Sequence, residues 1–220
     1  MRRLYTSGFD WENRNSTMPP FDAVTQNSMR LATKNLDAAL ATNRRFPEFV
    51  FTARWGTVFF FDPDWLFSAD SVEIFKALLA CENGALVCLK NLDCALDKGM
   101  HEDTLFLDKA ILGAIYLAQL LGTEPGSGLL YQMDRYGCTS DVGRWCIYCE
   151  RNNDIAAIAV WDAGATGQFA APLEALRALP INQAIENPNC FGLTPRGSLD
   201  AWRRKLAREY GSPHDLPQES

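Results

Sequence analysis

Apolar and polar positions along this chain follow two rhythms, one helical and one strand-like, and the change between them marks out the elements. Between Asp22 and Asn43, residues Val24, Met29, Ala32, Leu36, Ala39 and Leu40 recur at roughly helical spacing, with Arg30, Lys34 and Asp37 lying elsewhere. The spacing predicts a helix capped by Asp22 and ending near Asn43. The following stretch, "PEFVFTARWGTVFFFDPDW", is β-favouring. Phe49–Phe51 and Val58–Phe61 read as a hairpin broken at Trp55-Gly56. The second strand is almost wholly apolar, which predicts a central place in a sheet covered on both faces. Asp62-Pro63-Asp64 then forces a turn.

"ADSVEIFKALLACENG" returns to helical spacing, with Val72, Phe75, Leu78 and Leu79 as the buried stripe. Asp70 with Glu73 makes a capping-box pattern, and Gly84 is the expected stop. "ALVCLKNL" reads as a short buried strand, and residues 93–103 as a polar, acidic loop. "TLFLDKAILGAIYLAQLLG" is apolar almost all round, predicting a central, well-covered helix. "GLLYQMDRYG" opens a further strand. "RWCIYCE" and "DIAAIAVW", joined by "RNN", predict a hairpin. Short helices follow over Leu173–Leu179 and Ile181–Asn187. A last one, "SLDAWRRKLAREY", is capped by Ser198 and stopped by Gly211, with Leu199, Trp202, Leu206 and Tyr210 on one face.

About six strands, mostly in neighbouring hairpins, and five or six helices predict an α+β domain with a largely antiparallel sheet. The polar first 20 residues end in Pro19-Pro20 and read as an extended arm. The domain would then span 21–211, with 212–220 as a flexible tail. A chain of 220 residues suits one such domain. Its most apolar run, Ile111 to Gly122, is about half of the roughly 20 residues a membrane span needs. The N-terminal arginines have no apolar stretch behind them, so a protein that stays in the cytoplasm is expected.

Charge is spread unevenly. Residues 1–45 hold seven basic and four acidic side chains, residues 46–190 nine and nineteen, and residues 191–220 five and four, within a total of −6. An acidic body argues against nucleic acid as a partner, because phosphate binding rests on Lys and Arg. It suits a cationic partner. Ten acidic and three basic residues fall between Asp62 and Asp108, densest at Asp93, Asp97, Glu102, Asp103 and Asp108. Read plainly this is a solvated loop; read functionally it is a docking face for a basic protein.

Candidate chemistry begins with Cys146-x-x-Cys149, a spacing used by zinc sites and thiol redox enzymes. On a strand, residues three apart point to opposite faces, so these two thiols cannot clasp one metal ion. The seven cysteines mostly sit among apolar neighbours and read as buried, reduced thiols. No metal and no cofactor is expected. Only two histidines exist, and only His101, beside Glu102 and Asp103, could serve a nucleophile such as Cys88 or Cys94. Asp62 and Asp64 flank Pro63 after a buried strand, a position where carboxylate catalysis could open. "GTEPGSG" lacks the Lys-Ser/Thr of a phosphate loop and reads as a linker.

"YGCTSDVGRWCIYCERNNDIAAIAVW", residues 136–161, resembles the aromatic-rich sheet segment of bacterial immunity proteins from polymorphic toxin systems, and "GSLDAWRRKLAREYG" is similar in flavour. The resemblance implies a cytosolic, non-enzymatic protein that binds and blocks a cognate toxin. With no membrane or export segment expected, that toxin would act in the cytoplasm, as a nuclease or an NAD-consuming enzyme does. Asp93, Asp97, Glu102 and Asp103 would form the charged contact, with Asp62, Asp64 and Trp65 as a second patch carrying an aromatic anchor. Two readings stand beside it. One is a hydrolase using carboxylates or His101; the other is a structural or phage accessory protein.

Overall fold

The computed structural model describes residues 23–52, 55–93, 104–111, 113–122, 128–161, 163–186 and 199–211. Within them lies one six-stranded sheet in the order β1-β6-β5-β4-β2-β3, antiparallel at every pairing. The strands are β1 (Thr57–Phe61), β2 (Leu86–Asn91), β3 (Thr104–Asp108), β4 (Arg135–Ser140), β5 (Trp145–Glu150) and β6 (Ile155–Val160). Seven helices accompany them: α1 (Ala23–Ala39), α2 (Ser71–Glu82), α3 (Gly113–Leu121), α4 (Leu129–Gln132), α5 (Ala170–Ala175), α6 (Ile181–Glu186) and α7 (Leu199–Tyr210). The fold is α+β, as the hairpin pattern predicts.

Both faces of the sheet are buried. Residues of α2, α3 and α5 pack with Trp145, Ile147, Cys149, Ile158 and Val160 on one side. Residues of α1, α6 and α7 pack with Cys146, Tyr148, Ala157 and Ala159 on the other. This is the alternation that separates the two cysteines of the Cys-x-x-Cys pair. Each lies in a different core layer, and both are free and fully buried. The strands β5 and β6 read as apolar on both sides because helices cover both sides.

Several expectations need correction. The apolar strand β1 is at an edge of the sheet, not its centre. Its two faces are covered as expected, with Phe60 and Phe61 fully buried. Its open backbone is closed by a loop residue: Phe60 N–H donates to Leu179 O at 2.7 Å, and Leu179 N–H returns to Phe60 O at 2.8 Å. The expected hairpin with Phe49–Phe51 does not form. Phe51 makes one bridge to Leu40, and β1 pairs with β6, because Val50 and Phe51 are drawn into the layer beside α1.

"TLFLDKAILGAIYLAQLLG" is not one helix. Its first five residues are the edge strand β3, paired with β2 over Leu86–Lys90, and only Gly113–Leu121 is helical. That helix is not buried all round. Tyr116 and Leu120 are fully covered, whereas Ile115 is 49% exposed. "GLLYQMDRYG" likewise begins as the short helix α4 and becomes strand only at Arg135.

The capping box is absent. Asp70 makes no side-chain cap hydrogen bond, and Glu73 instead pairs with Lys76 at 2.8 Å. The hydroxyl of Ser71 does the local work, donating to the carbonyls of Ser68 at 2.7 Å and Trp65 at 2.8 Å. At the far end Asn83, with φ +55°, takes the left-handed position that ends α2, one residue before the expected Gly84. In α1, Val24 is 75% exposed and does not belong to the buried stripe, while Ala32, Leu36, Ala39 and Leu40 do. The cap residues Asp22 and Ser198, the N-terminal arm and the C-terminal tail lie outside the described residues.

Candidate functional site

The antiparallel order brings the strand ends that carry charge to one side of the sheet. Phe61 pairs with Ala156, Glu150 with Ile155 and with Arg135, and Asn91 with Tyr136. The residues just beyond these pairs are therefore neighbours at one sheet end: Asp62 after β1, Arg151 after β5, Asp93 after β2, Asp134 before β4 and Asp154 before β6. Asp93 and Asp62 are four strand spacings apart, about 19 Å across a sheet of ordinary geometry. Asp62, Asp64, Trp65 and Asp93 thus share one end of the molecule, although more than 25 residues separate the two groups in sequence. Asp97, Glu102 and Asp103, together with His101, Cys94 and residues 123–127 of "GTEPGSG", lie outside the described residues.

The two groups differ in how free their charge is. Asp93 is enclosed by donors. Its carboxylate accepts the Arg135 backbone N–H at 2.6 Å, Arg135 Nε at 2.7 Å, the Asp134 N–H at 3.2 Å and Arg45 Nη2 at 3.4 Å. Burial works to raise this carboxyl, but hydrogen bonds and charge from Arg135, with Arg45 beyond, outweigh it and hold the group below the usual carboxylate range. Arg45 also reaches Asp134 at 3.5 Å. This corner ties the ends of β2 and β4 together, so its charge is largely spent inside the fold.

The Asp62–Trp65 group is built differently. Asp62 caps a single 3-10 turn, Pro63–Leu66, by accepting the Asp64 N–H at 2.9 Å. Pro63 presets the first position of that turn and is buried, and Leu66 anchors its other end. The turn leaves the Asp64 side chain exposed. No ion pair among the described residues holds it. Trp65 is half-buried against the core, with the Arg177 guanidinium 4.9 Å from its ring centre. Arg177 has φ +51°, which places it at the end of the turn after α5.

Asp64 stands on the ridge between two adjoining hollows. One, of about 430 Å³, is lined by Pro63, Asp64, Tyr131, Met133, Asp134, Arg151, Asn152 and Asp154. The other, of about 420 Å³, is lined by Asp62, Asp64, Trp65, Ser68, Asp70, Leu176 and Arg177. Arg151 is fixed in the first wall. It donates to the carbonyls of Leu130 and Met133, and its guanidinium lies 5.2 Å from the Phe67 ring centre. The two hollows together present five carboxylates, a half-covered indole and a 59% exposed tyrosine, Tyr131. Such a surface offers acceptors and aromatic faces to a cationic side chain.

Asp134, Asp154, Tyr131, Arg151 and Arg177 were not legible as site residues. Asp154 alone carried a signal, since the hairpin turn after "RNN" places it beside the strand that meets β1. The catalytic candidates fare less well. Cys88 is buried, and loss of solvent pushes its thiol up to about 12, so no thiolate is available there for a histidine to activate. Burial likewise raises the thiols of Cys138 and Cys149, well above their ordinary range. Among the described residues, no group of three His, Cys, Asp or Glu gathers to hold a metal ion, and no helix is long and apolar enough to cross a membrane. Compared with protein-family models, with curated proteins and with solved structures, the chain matches none.

Proposed function

We propose that this chain is an immunity-type protein that binds and neutralises a basic toxin acting in the cytoplasm, a nuclease or an NAD-consuming enzyme. The docking face is the acidic end of the sheet. The observation that carries this reading is the setting of Asp64: an exposed carboxylate on a proline-fixed turn, between two hollows, beside a half-buried tryptophan. A rigid turn presents charge without a large ordering cost on binding. Unpaired carboxylates at the rim steer a cationic partner and set the association rate. Trp65 supplies the apolar anchor that slows dissociation. Asp93 moves from contact residue to support, because Arg135 and Arg45 already occupy it.

The test is co-expression with the toxin encoded beside this chain's gene. The wild-type chain restores growth of the poisoned host. The Asp62→Lys/Asp64→Lys variant, with unchanged circular dichroism, restores it poorly and associates at least tenfold more slowly at low salt. Equal protection by the variant, or no protection by the wild type, contradicts the proposal.

A further inference from the structure

The two edges of the sheet are not alike. At β1 the outer backbone is bridged at Phe60 by reciprocal hydrogen bonds with Leu179. At β3 the inner side pairs with β2 in five consecutive positions, and among the described residues no strand pairs with the outer side. An edge left open is a template for another strand, and proteins that keep it to themselves place charge, proline or a bulge there. Of the five residues of β3 only the last, Asp108, is charged and none is proline, and the unbroken register with β2 leaves no bulge. Leu105 and Phe106 are only half-buried, in contrast to the buried Cys88 and Leu89 of the neighbouring strand.

We infer that the outer edge of β3 pairs with β3 of a second copy of this chain, antiparallel about a two-fold axis at Phe106. In that register Leu105 faces Leu107 of the second copy, Phe106 faces Phe106, and Asp108 faces Thr104, so no like charges meet. A parallel pairing in register would set Asp108 against Asp108, which is unfavourable. The sequence thus complements itself in one direction only. The two-fold pairing uses the single β3 edge of each copy, so the assembly ends at two copies and does not run on into a fibre. Five paired residues bury less than the roughly 1,200 Å² of a stable standard interface, so the dimer dissociates readily, with a Kd in the micromolar range or weaker.

Sedimentation equilibrium of the whole chain tests this, over protein concentrations spanning the micromolar to millimolar range. The wild type moves from monomer to dimer and goes no further, and Phe106→Lys and Leu105→Lys each raise the dissociation constant at least tenfold. A wild type that stays monomeric at the highest concentration overturns the inference, as does a dimer that both variants leave intact. Should the variants unfold, amide exchange of the wild type decides: protection at 104–108 that grows with concentration supports the pairing, and protection that does not grow overturns it.

Discussion

Two carboxyls set the residue-scale behaviour with opposite signs, Asp93 at the surface and Glu82 in the interior. Asp93 has its folded pKa held down by Arg135 and Arg45. Its contribution is therefore present above the unfolded carboxylate value, about 3.9, and is lost as pH falls through the lower folded value. Asp93→Asn should cost about 1 kcal/mol at neutral pH, because the pair with Arg135 and Arg45 is screened by solvent. The same change should flatten the fall in stability below pH ~4, measured by urea unfolding across that window. Glu82 is the converse. It is 6% exposed, one carboxylate oxygen accepts the Arg144 N–H at 3.0 Å, and the other makes no hydrogen bond. Burial, aided by the charge of Asp141, raises its pKa. What Glu82 contributes is complete below the unfolded value of about 4.3 and fades as pH rises through the folded one. Glu82→Gln should remove that decline, so that the variant gains on the wild type as the solution is made less acidic.

At the scale of elements, the close approach of α1 to the sheet rests on one position. A Cβ at Gly137 of β4 would lie 2.7 Å from Leu40 Cδ1 and 2.9 Å from Leu36 Cδ1, both in the buried layer between helix and strand. Gly137→Ala must push those leucines aside, at a cost of about 1–3 kcal/mol, readable as a drop in the unfolding midpoint. What the sequence revealed at this scale was local. The α2 stripe, the β5–β6 hairpin and the two-faced alternation of Cys146 and Cys149 depend on neighbours a few residues away, and all are present. What it hid was long-range. An apolar strand says that both faces are covered, yet β1 is covered on both faces and still lies at the edge, because Leu179, far along the chain, closes it. The apolar run from Leu105 to Leu121 concealed a change of element, since Leu105, Phe106 and Leu107 suit either a buried helix or a strand and only pairing with β2 decides. Asp70 and Glu73 had the letters of a capping box, but the Glu73 N–H donates to the Asp70 carbonyl at 3.0 Å and the Glu73 carboxylate pairs with Lys76.

For the whole molecule, the composition gives a net charge of −6, and the topology decides which acidic side chains stand together. Asp93 belonged to the densest acidic stretch, but the sheet places Arg135 and Arg45 against it. Asp64 comes to face Asp134 and Asp154 across strand ends that no local pattern connects, with Asp62 in the adjoining hollow. That exchange of roles makes the Asp64 ridge, flanked by Trp65, the surface proposed to meet a basic toxin. The most direct measurement is an NMR titration of the isotopically labelled chain with a toxin that it neutralises in co-expression. Amides of residues 62–65 and 151–154 and the Trp65 indole N–H should shift together and saturate at one toxin per chain. Saturable binding that leaves those signals in place, and moves others instead, would contradict it.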